Sequence, residues 1–400
     1  MDLRTYYPYS LLKHGIIQSY PSLSKNIKTD VAIIGAGISG AIVAWQLSKA
    51  GIDFVMLDKG HVGQGSTAAS TSLIQYELDM PLYKLIKLRG YETAIKSYEW
   101  CKKAISDLKK ITEEVNDSDN YKEKYSLQFA SFKKSVEGLK KEYQIRKQAG
   151  FKVDYFDSQE TFKQFGIKKP AAIYSYEAAE LDAYVLTHKI LKSIQAKGHA
   201  VYDHTEIKKI VNEKKDITLF TSEGNKIITK KLIITCGYES GKYIPKKLES
   251  LRCTYAIISE PLQLKEIWTD NCLIWETSDP YLYLRTTNDN RVIIGGKDTR
   301  YFPLKEQLAH LPFKIKSLTK AFSSLFPDIK IKVDFSWAGA FASTRDGLPY
   351  IGSVEEIPNT YFALGYGGNG ITFSVIAAEL ITSSILGKKH QSEHMFSFNR

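Results

Sequence analysis

Cysteine is scarce: Cys101, Cys236, Cys253 and Cys272 stand far apart in 400 residues. No C-x-x-C pair occurs among them, which excludes a zinc ribbon and a dense disulfide framework. Reduced thiols in a cytoplasmic protein are the expectation. Long hydrophobic runs are also missing. The segment "MDLRTYYPYSLLKHG" has no apolar signal-peptide core, and the longest apolar stretch, around residues 31–45, is short and interrupted by glycine. No membrane anchor is expected. Arginine-rich blocks, low-complexity tracts and solenoid-period repeats are absent too. The formal net charge of +11 comes mostly from lysines scattered through segments such as "IKKIVNEKKD". That pattern reads as a solvated surface, and a nucleic-acid partner is not expected.

What remains is the composition of a soluble globular protein, 43% hydrophobic and 25% charged, long enough for two domains. "DVAIIG" is an apolar, partly β-branched run of the kind buried on both faces of a parallel sheet. Gly35, Gly37 and Gly40 follow in G-x-G-x-x-G spacing, with Ile38 and Ser39 opening a helix that stops at Gly51. Such glycines permit a tight turn, a close backbone approach to pyrophosphate, and close packing of helix on sheet. "DFVMLD" is a second buried strand, ending at Asp58, 18 residues after Gly40. This is near the spacing at which a carboxylate accepts hydrogen bonds from an adenosine ribose. After Asp58 and Lys59 the chain enters "GHVGQGSTAASTS", where Gly65, Ser66, Thr67, Ser70 and Thr71 offer further phosphate and ring contacts. The next strand of this layer, "KLIITCG", begins only at residue 231. A discontinuous dinucleotide domain is implied.

Near the C-terminus stand "WAGAFASTRDGLPYIGSV" and "YFALGYGGNGITFSVIAAELITSSILG". With the N-terminal unit, these resemble the FAD-dependent D-amino-acid-oxidase superfamily, which includes glycine, sarcosine and γ-glutamylputrescine oxidases. The resemblance implies an α/β fold: a discontinuous Rossmann-like FAD domain from 1–80, 170–245 and 335–400, and a mixed-sheet α+β substrate domain from 81–169 and 246–334. It further implies that Gly368, Asn369, Gly370, Ile371 and Thr372 form a turn and helix start at the flavin, and that Ile207, Cys236 and Gly237 contact the adenine side. FAD is expected without a covalent link. The cysteine used for attachment by sarcosine oxidases falls at Gly339, and no histidine follows Ser66 and Thr67.

The reaction the resemblance implies is oxidation of the C–N bond of an amine or amino-acid derivative. Hydride would pass to flavin N5, with oxygen or an electron-transfer partner as acceptor. Where amino-acid-oxidising members carry an arginine for the substrate carboxylate, this chain has Phe341. "DPYLYLRTTNDNRVIIGG" reads as two strands joined by an Asn/Asp turn, with Tyr281, Tyr283 and Arg285 on one face. Tyr283 would shape the substrate pocket and Arg285 would hold an anionic group. No metal site is expected: "HQSEH" at 390–394 reads as a solvated tail without a helix. A flavin-dependent tRNA-modifying enzyme and a nonenzymatic flavin-binding protein stay open as alternatives.

Overall fold

A computed structural model describes residues 4–213, 215–264 and 266–400. Two sheets organise the chain. In the first, Ile27–Ile34 lies between Phe54–Leu57 and Lys226–Ile234 and runs parallel to both. Ala200–Tyr202 extends one side, and Ile357–Leu364 followed by Tyr350–Val354 extends the other. Residues Val31 to Ile34 are all buried, as a strand covered on both faces requires. The helix Ile38–Lys49 packs against the helix Gly370–Ile385, although more than 300 residues separate them in sequence. Ser39 Oγ lies 2.7 Å from Ser374 Oγ at this contact.

The second sheet has nine strands. From one edge it runs Val333–Ser343, Ser250–Ser259, Val292–Arg300, Leu282–Thr286, Leu273–Glu276, Lys122–Phe129, Ala171–Glu180 and Leu73–Gln75, with Val153–Asp157 paired alongside the first half of Ala171–Glu180. Leu273–Glu276 is parallel to Lys122–Phe129 and the other neighbours along this path are antiparallel, so the sheet is mixed. The helix Leu304–Leu325 packs on the strands nearest the first edge, burying Leu311, Leu318 and Phe322 among Tyr255, Ile257 and Ile294.

The expected boundaries and the observed pairing differ at three strands. Leu73–Gln75, Ala171–Glu180 and Val333–Ser343, expected among the nucleotide-binding segments, pair within the second sheet. The alternation of a strand records which of its faces is buried, and says nothing about which strands flank it. The helix Tyr91–Glu114, expected as a substrate-domain element, lays its stripe of Ala94, Tyr98, Cys101, Ile105 and Leu108 partly against Gly370–Ile385. That contact explains why Gly370–Ile385 is apolar almost all round: it is enclosed by helices on two sides as well as by the sheet.

Candidate active site

The glycine turn is built by exclusion of side chains. Gly35 has φ of +105°, and a Cβ there would stand 2.5 Å from the Thr235 carbonyl oxygen. A Cβ on Gly37 would come within 2.8 Å of Thr67 Oγ1, and one on Gly40 within 1.9 Å of the Gly35 carbonyl oxygen. Asp58 fixes the turn from below: its Oδ2 accepts the Ala36 N–H at 2.8 Å and its Oδ1 the Gly60 N–H at 3.0 Å. Burial raises the Asp58 carboxyl from the ordinary range, and these two donors work against that shift. Thr67 Oγ1 accepts the Ile38 N–H at 3.0 Å, tying the hydroxyl-rich loop to the helix start. Beyond that bond, neither Ile38–Lys49 nor Gly370–Ile385 is capped by the side chain of the residue preceding it. Two helix N-termini thus converge with first-turn amides available to an anionic ligand.

A cavity of about 760 Å³ runs past both. Gly35, Gly37, Ile38, Ser39, Asp58 and Lys59 line it, as do Gly65, Ser66, Thr67, Ser70 and Thr71. Ile207, Cys236 and Gly237 border the same space, with Gly339, Phe341, Tyr283 and the run Gly368 to Thr372. Two expected residues stand outside it. Gly40 sits behind the turn against Gly35, where its role is to let the helix approach. Arg285 is buried, and its guanidinium donates to the Thr71 and Thr286 carbonyls and faces Glu180 at 3.5 Å. With those partners it braces the loop that carries Thr71. Tyr283, on the same strand face, does line the cavity, and burial pushes its hydroxyl up to about 12.

Several lining residues carried no local signal in the sequence. Asp79, Tyr238, Thr254 and Trp275 come from four separate segments. Arg4 reaches the cavity because the N-terminal segment bridges Gly339, and its guanidinium donates to the Gln64 and Tyr6 carbonyls at 2.6 Å each. Lys59 and Lys242 are held at the Asp58 end by Glu239, at 2.5 and 2.6 Å. Burial alone would raise Glu239; the two lysines bring its carboxyl down to about 2.

The C-terminal segment is not the helix-free solvated tail that the sequence suggested. Glu393–Phe396 forms one helical turn, Met395 and Phe396 are buried, and Arg400 holds Asp346 at 3.0 Å. His61, Asp203 and His204 place ligand atoms within 4.8 Å of one another, though His204 is exposed, His61 only half-buried, and Asp203 also accepts the Tyr20 N–H.

Glu249 gives a pH test of this region. It lies beside Gly365, whose N–H is its hydrogen-bond donor, and burial pushes its carboxyl up to about 7. A folded-state value above the unfolded one means that the native chain retains a proton the unfolded chain releases. Stability therefore declines as pH rises from about 4.5 to 7 and stays lower above that. Glu249→Gln removes the decline. Partial solvent access moderates the gain to roughly 1–2 kcal/mol at pH 8, with little change at pH 4.5, measured by denaturant unfolding at the two pH values.

A sequence-family model described as "FAD dependent oxidoreductase" matches residues 30–384. Glycine oxidase from Bacillus licheniformis is 23% identical over 379 residues, covering 92% of this chain and 96% of that protein. Gamma-glutamylputrescine oxidoreductase from Escherichia coli (strain K12) is 22% identical, covering 96% of this chain and 89% of that protein. Among solved structures, glycine oxidase from Geobacillus kaustophilus superimposes with a TM-score of 0.76 at 19% identity, covering 91% of this chain and 96% of the other.

Proposed function

Because the chain belongs to the FAD-dependent oxidoreductase family, we propose that it oxidises the C–N bond of a small amine or amino-acid derivative, preferring substrates without an α-carboxylate. The continuity of one cavity carries this reading: it begins at Asp58 and the glycine turn, passes both helix starts and ends against Phe341, Tyr281 and Trp275. The cradle fits a noncovalently held dinucleotide, since Gly37 leaves room beside Thr67 that a Cβ would fill. Bound FAD supplies a two-electron acceptor for hydride from the carbon next to the amine nitrogen, leaving an imine that water hydrolyses.

The residues of this chain do the rest. Amides at the start of Ile38–Lys49 suit the pyrophosphate, and those of Gly370 to Thr372 suit an electron-rich ring edge. Phe341 presents an aromatic wall where a carboxylate would need a cation. Enclosure by Tyr238, Tyr283 and Trp275 limits water and disfavours the protonated amine, which must lose its proton before it reacts.

The test is an anaerobic titration of purified protein with secondary and ω-amino compounds, glycine and D-alanine, following flavin absorbance. Bleaching by the first group should be faster by roughly 10- to 100-fold, the range set by one missing charge-assisted contact. Equal or faster bleaching by glycine or D-alanine would overturn the preference, and no bleaching by any amine would overturn the activity.

A further inference from the structure

Asp79 is a carboxylate placed at the substrate end of the cavity. Its Oδ2 accepts the Gly368 N–H at 2.8 Å, and its Oδ1 accepts the Tyr281 hydroxyl at 3.2 Å. The glycines beside it are required by that closeness, since a Cβ on Gly367 or Gly368 would stand 2.6 or 2.8 Å from its oxygens. Gly367 donates its N–H to the Ala342 carbonyl at 2.8 Å, which sets this turn against the strand end bearing Phe341. Asp79, Tyr281 and Phe341 all line the cavity into which the helix start at Gly370 opens.

Among the described residues no Lys, Arg or His forms an ion pair with Asp79. Arg252 is a cation whose charge reaches it, and that side chain is turned to Asp279 at 3.3 Å. The cavity's other cations, Arg4, Lys59 and Lys242, are engaged elsewhere. Asp79 is exposed along the cavity wall with none of these cations paired to it, and desolvation by the surrounding protein raises its carboxyl from the usual range. An incoming cation is the partner that would hold it ionised.

We propose that Asp79 is a specificity-determining residue that binds a second, cationic group of the substrate, so that the preferred amine carries a further ammonium remote from the carbon that is oxidised. This rests on the amine-oxidising reading above and adds the substrate class. Tyr281 orients the carboxylate, and Phe341 covers the aliphatic stretch between the two nitrogens.

The experiment compares, on the FAD-loaded protein, 1,4-diaminobutane, butylamine and 4-aminobutanoate. Binding is read from tryptophan fluorescence or calorimetry, and flavin reduction is read separately. The diamine should bind at least tenfold more tightly than the monoamine, and the aminobutanoate more weakly than either. Asp79→Asn keeps an acceptor for the Gly368 N–H, and it should abolish the diamine advantage, so that diamine and monoamine bind equally. A diamine that binds no better than butylamine, or a variant that keeps the preference, overturns the proposal. The two readings fail separately. Flavin reduction by monoamines with no diamine advantage removes only the Asp79 assignment; a diamine advantage that disappears in Asp79→Asn, with no reduction by any amine, removes only the oxidase reading.

Discussion

Gly40→Ala, behind the glycine turn, cuts FAD affinity by roughly 100-fold or more, while Gly60→Ala, on the cavity wall, leaves it intact. The added methyl at residue 40 would lie 1.9 Å from the Gly35 carbonyl oxygen and 2.9 Å from Thr235 Oγ1. Neither neighbour can yield. Gly35 is the turn itself, and Thr235 continues a strand whose hydrogen bonds hold Ile34. The helix start must therefore lift from the strand ends, and the amides aimed at the pyrophosphate move with it. The cost exceeds the 1–3 kcal/mol typical of overpacked cores, because the clash is with backbone. Its consequence is a loss of FAD affinity of roughly 100-fold or more. Flavin content after purification and a fluorescence titration with added FAD measure it. A Cβ at Gly60 meets nothing within 4 Å, and its N–H bond to Asp58 survives the change. Equal flavin content in the two variants would contradict this account of the turn.

Arg146→Ala has the second large effect, on stability. The Arg146 side chain is wholly buried, with Glu142 at 2.8 Å, Gln128 at 3.1 Å and Glu77 at 3.5 Å around its guanidinium. The rings of Tyr76 and Tyr98 lie within 6 Å of it. Truncation leaves two carboxylates in a dry interior, a loss of about 3–5 kcal/mol. Glu142 also accepts the Leu82 and Tyr83 N–H groups, and the Glu77 carbonyl receives Asn369 Nδ2 at 2.8 Å. The segment from Gln75 to Tyr83, which includes Asp79, and the turn before Gly370–Ile385 are thus braced by one cation. Thermal unfolding of the apo form should fall by several degrees, and the flavin-loaded form should show a further loss of affinity. The double change Arg146→Met with Glu142→Gln should restore part of the stability, because it removes one of the two carboxylates that the loss of Arg146 would orphan. Single and double variants of equal stability would refute the ion-pair explanation.

The legibility of the site in the sequence followed the range of the forces involved. The glycine turn, Asp58 and the hydroxyl loop were readable because a phosphate cradle is a local object: glycines, a helix start and a strand end within about thirty residues. Phe341 and the run from Gly368 were readable only through resemblance, since nothing in their own periodicity points to a flavin. Arg285 shows the limit of alternation. It lies on the strand face expected, and Tyr283 beside it reaches the cavity, yet its guanidinium folds onto Thr71 and Glu180. Period two assigns a side to a side chain and cannot assign its partner.

Asp79 had no signal at all. It is one of 44 acidic residues, in a segment whose neighbours read as the approach to a helix. The sequence by itself determined the buried parallel strands, the cradle between Gly35 and Asp58, and a second glycine-rich turn ahead of an apolar helix. Each is set by backbone conformation and hydrophobic period within a short stretch. Only the tertiary structure decided that Ala171–Glu180 and Val333–Ser343 join the second sheet, that Arg285 is a brace, and that the turn at Gly367 and Gly368 is held by Asp79 and by the Ala342 carbonyl beside Phe341. Those outcomes depend on contacts between segments up to 289 residues apart, where the burial of one surface selects the partner and no local preference can.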